Sequence, residues 1–216
     1  VWGNGFLAKM GFVDFAGGTV IHTSAGFGAL ACAIFFGKRV LKKGEKTDPN
    51  NLVLVAIGVA LLWFGWFGFN SGGALAANEL AATAFVNTAV ALAVAMVAWM
   101  IIVKIRNGRV SFSDLLTGSV AGLATITPCA GYVEPWAAIG IGIIAAIVCT
   151  LCIELKNRMG WDDALDVWGV HGMGGFTGSL LIGIFARASV NGVSAGLHQF
   201  LIQLFGAALV AVYSFV

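Results

Sequence analysis

Long stretches of apolar residues that carry no Asp, Glu, Lys or Arg run through this chain from near residue 16 to its last residue. Uncharged apolar runs of about 18 residues or more read as membrane-spanning helices. Seven are expected, near 16–37, 51–70, 81–103, 115–128 with its flanks, 135–153, 167–186 and 195–216. Only 10% of the 216 residues are charged, 59% are hydrophobic, and the mean hydropathy is +0.94. A soluble domain needs far more charge to cover its surface. The segments between the runs are short, so residues 1–216 are expected to form one transmembrane unit of the all-α class. That leaves no place for a nucleic-acid-binding or soluble enzymatic domain.

Position 1 is Val, the segment Val1–Val13 reads as a loop with no basic signal-peptide region, and the last run reaches Val216. The chain is therefore expected to be an internal piece of a longer gene product. Basic residues orient it. Lys38, Arg39, Lys42, Lys43 and Lys46 follow the first run, Lys104, Arg106 and Arg109 the third, and Lys156 and Arg158 the fifth. These are ten of the twelve Lys and Arg, all on alternate loops. This places the N-terminal segment outside and the C-terminus in the cytoplasm. The 30 glycines suit helices that pack closely around a narrow lumen, as in Gly26-Phe27-Gly28 and Gly174-Gly175. Cys149 and Cys152 resemble a CxxC pair, but no His or carboxylate accompanies them, so they read as small packing residues and no metal site is expected.

Two distant segments share one pattern. Asp14, seven residues, His22, three residues and Gly26-Phe27 match Asp163, seven residues, His171, three residues and Gly175-Phe176. On the topology above, the first enters the membrane from outside and the second from the cytoplasm. A direct repeat with opposite orientation marks inverted-repeat transporters, whose sites lie near the midplane where the halves meet. Each histidine lies eight residues past its aspartate, about 12 Å deeper along a helix. His22 and His171 are thus expected at similar depth.

Ionisable groups at membrane depth are costly and mark pathways. Imidazole both donates and accepts a hydrogen bond, so a neutral pair can pass a proton and hold a small polar solute. The plainer alternative is two unrelated histidines satisfied by backbone or by hydroxyls such as Thr23 and Ser24. Asp14 and Asp163 read first as helix caps. A second role for Asp14, gathering a cation at the outer mouth, stays open. His198 matches neither copy.

The sequence resembles the ammonium transporter family (Amt, Mep and Rhesus proteins). The stretches that carry the resemblance are Asp14 through His22, Trp66-Phe67-Gly68-Phe69-Asn70, Ala77-Asn78-Glu79 with Phe85-Val86-Asn87-Thr88, Thr127-Pro128 through Gly131-Tyr132, and Asp163 through His171-Gly172. They follow in order along nearly the whole chain. The resemblance implies an eleven-span inverted-repeat fold, with this chain running from just before the fifth span into the eleventh. It also implies three subunits, each with its own pore, in the cell membrane. The twin pore histidines fall on His22 and His171, the aromatic of the ammonium-recruiting vestibule on Trp2, a gate phenylalanine on Phe69, and an apolar lumen wall position on Val167. The substrate would be ammonium, passed as ammonia plus a proton. No cofactor and no enzymatic reaction are implied, and a trimeric PII-type signalling protein is the expected cytoplasmic partner.

Two departures stand out. Gly73 lies where the family often has a serine that helps hold the cation, and Pro128-Cys129-Ala130-Gly131 replaces a frequent Pro-Ala-Cys-Gly. Three other readings remain: an ammonium sensor, a Rhesus-type neutral gas channel, and a membrane protein whose paired histidines ligate haem.

Overall fold

Side-chain caps and positive-φ glycines bound several of the apolar helices. The structure is a computed structural model that describes residues 1–41 and 49–216. Lys42, Lys43 and Lys46 of the first basic loop lie outside the described residues. In chain order the helices are α1 (Phe6–Lys9), α2 (Ser24–Phe36), α3 (Leu52–Gly72), α4 (Glu79–Asn107), α5 (Phe112–Ile126), α6 (Pro135–Met159), α7 (Met173–Phe185), α8 (Ala188–Asn191) and α9 (Leu197–Phe215). Two π-helical turns, Gly18–Thr23 and Trp168–Gly172, lead into α2 and α7. Among the described residues every regular element is helical.

The starts and stops follow from side chains. The Asn51 and Asn78 side chains accept backbone N–H groups at the starts of α3 and α4, and Ser111 with Asp114 forms a capping box on α5. Gly108 and Gly160, both at positive φ, end α4 and α6. Five segments are long and apolar enough to cross a membrane: Gly18–Phe36, Leu52–Gly72, Glu79–Asn107, Pro135–Met159 and Leu197–Phe215. The bundle is a polytopic membrane fold.

Helix α4 is central. Ala84, Ala91, Leu92 and Ala95 on it are fully buried. An added Cβ at Gly122 of α5 or Gly142 of α6 would lie 2.7 Å from the Ala91 carbonyl oxygen, so both helices seat against the α4 backbone. Without a hydrophobic driving force between helices in lipid, this close packing is what holds them together.

The run near 115–128 does not stay helical throughout. Helix α5 has 15 residues, about 22 Å, and Pro128, which lacks a backbone donor, follows its end. The chain then continues as a buried turn through Thr127–Val133, with Cys129, Ala130 and Val133 fully buried. Non-helical backbone inside a bundle needs partners for its carbonyls. Asn87 supplies two, donating from Nδ2 to Ala130 O at 2.8 Å and Val133 O at 2.7 Å. The Phe15 N–H takes Pro128 O and the Arg187 N–H takes Tyr132 O.

The two matching segments pack on each other. An added Cβ at Gly26 would lie 2.2 Å from Gly172 Cα, and one at Gly175 would lie 3.1 Å from Thr23 N and 2.2 Å from Gly18 O. In each copy the glycine four residues past the histidine meets the residue one past the other histidine. Segments running the same way would pair like positions with like; this reciprocal pairing requires opposite directions. The inverted relation thus appears as contact geometry.

Basic residues of three loops share one end of the bundle. Arg39 pairs with Asp162 at 2.6 Å, linking the end of α2 to the loop before α7. Glu154 pairs with Arg106 and Arg158, linking α4 to α6. The Arg39 guanidinium holds the Asp162 carboxyl down to about 2. At the opposite end Arg187 lies over the Trp136 ring, 5.8 Å from its centroid.

Candidate functional site

The site grows from the two aspartates. Asp14 is buried, and its two carboxylate oxygens accept four backbone N–H groups, from Gly17, Gly18, Thr19 and Val20, at 2.8–3.0 Å. Gly17, at φ +112°, lets the backbone wrap around that carboxylate. Asp163, also buried, accepts the Trp168 N–H at 2.8 Å. Each carboxylate caps the π-turn that carries its histidine, which is the capping arrangement expected from their position. The π-turn adds a residue to the helical turn, a feature often found at functional sites.

The π-turns bring the two imidazoles together at their Nδ1 edges. Nδ1 of His171 lies 3.2 Å from Nδ1 of His22, with ring centroids 5.2 Å apart. One ring donates and the other accepts, and either tautomer pair satisfies this. His22 is buried and His171 half-buried. His22 Nε2 is buried and has no partner among the described residues. Direct nitrogen–nitrogen contact at hydrogen-bond distance leaves no space for an iron and a macrocycle between the rings, so the pair does not fit axial haem ligation.

Trp66 completes the site, and sequence reasoning had not singled it out. Its ring stacks on His22 (4.9 Å between centroids, 21° between planes) and lies nearly parallel to His171 (6.2 Å, 10°). The indole N–H donates to Thr127 Oγ1 at 2.9 Å, and that hydroxyl donates to Leu123 O. Phe69, three residues on and therefore on the same face of α3, sits 6.0 Å from both His22 and Trp66. That i, i+3 spacing from Phe69 was the available signal for Trp66.

Trp2 lies against the Asp14–Gly17 turn. Its Nε1 donates to the Asp14 main-chain oxygen at 2.9 Å, and half of its surface is exposed. Val167, half-buried, lies one turn before His171, and its carbonyl abuts Gly26. Where Gly73 stands, an added Cβ would lie 2.7 Å from Phe15 O and 2.9 Å from the Phe15 ring. The Ser71 hydroxyl is buried without a partner among the described residues. The structure therefore gathers His22, His171 and Phe69 around Trp66, and ties Trp2 to the Asp14 turn. A cavity of about 1080 Å³, lined among others by Arg39, Asn51, Val120 and Asp166, opens toward His171 from the basic end.

A buried polar frame holds this cluster. Gln203 on α9 is fully buried; it donates to Val13 O at 2.8 Å and Ser179 O at 3.2 Å and accepts the Val13 N–H at 3.0 Å. Asn70 donates to Thr88 Oγ1 at 2.9 Å. Gln203 is satisfied at both amide atoms, as a buried amide in an apolar bundle requires, whereas Asn70 Oδ1 is buried without a partner among the described residues.

Comparison with known proteins places this arrangement. The family model described as the Ammonium Transporter Family matches residues 1–216. The ammonium transporter Amt1 of Archaeoglobus fulgidus is 46% identical over 219 residues, covering 100% of this chain and 56% of that protein. An ammonium transporter of Aquifex aeolicus is 46% identical, covering 99% and 51%. Among solved structures, Mep2 of Candida albicans matches with a TM-score of 0.90 at 38% identity, covering 99% of this chain and 50% of that one. A sensor Amt protein matches with a TM-score of 0.89 at 35% identity, covering 99% and 56%. The chain spans about half the length of the curated relatives it matches.

Proposed function

This chain belongs to the ammonium transporter family, and from that premise we propose that its full-length protein carries ammonium across the cell membrane as ammonia plus a proton. The observation that carries the reading is the direct 3.2 Å contact between His22 and His171 where two oppositely directed repeats cross. The expected orientation, with Trp2 outside and the Lys- and Arg-rich end and C-terminus in the cytoplasm, is part of the proposal.

An exposed indole face attracts a cation by its ring quadrupole. Trp2 would recruit ammonium, and the Asp14 carbonyl that accepts the indole N–H fixes the ring. Asp14 thereby takes part through Trp2, its carboxylate being committed to the π-turn. Phe69 would be the gate over the His22 ring, and Val167 part of the apolar wall. An intact ion in an apolar lumen is expensive, so ammonium gives up its proton and crosses as ammonia. In the tautomer with the shared proton on His22 Nδ1, bare His22 Nε2 accepts the proton, Nδ1–H passes to His171 Nδ1, and His171 releases its own Nε2 proton. The pair must reset its tautomers before the next transfer in the same direction.

The apolar ridge Ile139, Ile143, Ile147, Leu151 and Leu155 on α6 is exposed at every fourth residue, which supports contact with lipid or with neighbouring subunits of a homotrimer. A PII-type partner would dock at the cytoplasmic end. The experiment is the current of the full-length protein in proteoliposomes. Ammonium is expected to evoke it and potassium is not. Alkalinisation by ammonia without current would instead make this a neutral gas channel. The similarity to a sensor Amt protein favours one further reading, in which ammonium binds but neither current nor alkalinisation follows.

A further inference from the structure

The two repeats are alike in sequence, yet their π-turns are anchored differently. Asp14 holds the His22 turn with four N–H bonds, whereas Asp163 holds the His171 turn with one. What offsets the shortfall is Lys156. It lies in the last turn of α6, and its ammonium is buried, with only 8% of the side chain exposed. A buried ammonium persists only when paired and hydrogen-bonded. Nζ donates to Asp163 O at 2.8 Å and to Asp166 Oδ1 at 2.5 Å. Those two residues begin and end the turn that launches the His171 segment.

The same turn is strained. Asp166 has φ +55°, a left-handed conformation unusual for a residue with a side chain. Such a conformation persists only where surrounding contacts over-determine it. The Asp166 carbonyl in turn accepts the Val170 N–H at 2.9 Å, one residue before His171. A chain of contacts thus runs from Lys156 through Asp166 to the backbone N–H of Val170, the residue before the histidine. Among the described residues no cation pairs with Asp14, and the hydrogen bonds its carboxylate accepts all come from backbone N–H groups.

We infer that Lys156 is a positioning residue that holds the strained Asp163–Asp166 turn and so sets His171 against His22. The inference rests on reading His171 as a pore residue, but its test does not depend on flux. Full-length protein with ¹⁵N-labelled histidine, reconstituted in lipid bilayers, would show a through-hydrogen-bond correlation between the two Nδ1 atoms. Lys156→Met is expected to lose that correlation and Lys156→Arg to regain it at least in part. Glu154→Gln, two residues away and paired to Arg106 and Arg158, is expected to keep it. If Lys156→Met does not fold, Asp166→Asn removes the same tie at almost constant volume and is expected to lose the correlation. Retention at wild-type strength in whichever of these variants folds would overturn the inference. Absence of the correlation in the wild-type protein would overturn it too, by refuting the pairing itself. Loss in the variant with ammonium flux absent from the wild type would leave the positioning role standing and refute only the transport reading.

Discussion

Replacing Gly175 by alanine tests whether backbone contact between the two repeats sets the histidine pair. The added Cβ would lie 2.2 Å from Gly18 O and 2.8 Å from His22 Cβ. Ordinary contact for such atoms begins near 3.5 Å, so the two segments must separate by roughly 1 Å to relieve the nearer clash. The Nδ1···Nδ1 distance is already 3.2 Å. An increase of that size takes it beyond the hydrogen-bond range. Overpacking of this kind costs about 1–3 kcal/mol, and neither neighbour is the movable tip of a side chain. The assay is thermal unfolding of the full-length protein in detergent, with Gly58→Ala as the control because nothing lies within 4 Å of its added Cβ. Gly175→Ala is expected to lower stability by about that amount and to abolish the histidine correlation. Stability equal to the control, with the correlation intact, would refute the packing argument.

Asn87→Leu leaves the buried Ala130 and Val133 carbonyls without their donor, and each orphaned group costs about 1–3 kcal/mol; unfolding of the variant measures the loss. Trp66→Leu removes the ring stacked on both imidazoles and the donor to Thr127, so ammonium current is expected to fall, while Trp66→Phe, which keeps a ring, should retain more of it. The Arg39–Asp162 pair holds Asp162 below its ordinary value of 3.8, at about 2. Its stabilising contribution is therefore present above about pH 4 and lost as pH falls toward 2. Because the pair is solvent-exposed, that contribution is small and weakens further with salt. Comparing Asp162→Asn with wild type, the stability difference should close across that acid window and nowhere above it.

The sequence made the helical, polytopic class plain, since uncharged apolar runs have few other folded solutions. It also exposed the repeat, because Asp, His and Gly at fixed spacing are local marks on one segment. What it did not expose depends on residues far apart in the chain. Trp66 meets His22 and His171 only after α3 has packed against α4 and α5. Asn87 finds the carbonyls of Ala130 and Val133 across more than forty residues, and Gln203 reaches Val13 across 190. Neither amide has a neighbour in sequence that announces its partner. The π-turns were also invisible, because runs that are uncharged on every face carry no periodic phase in which an extra residue would show. Lys156 illustrates the converse: it read as one of several topology-setting charges on a loop, whereas burial at the base of the Asp163–Asp166 turn distinguishes it from Arg158, which lies on the surface.

The most direct test of the histidine pair as a single unit is a mutant cycle on the full-length protein. Ammonium-evoked current and its selectivity over potassium would be measured for His22→Ala, His171→Ala and the double variant, with matched protein in each liposome. Groups that act together lose their function when either is removed, so the double variant should be no worse than the worse single one. That is the result this account predicts, with current or selectivity lost in each single variant. Wild-type current and selectivity in either single variant, or losses that add independently in the double, would contradict it.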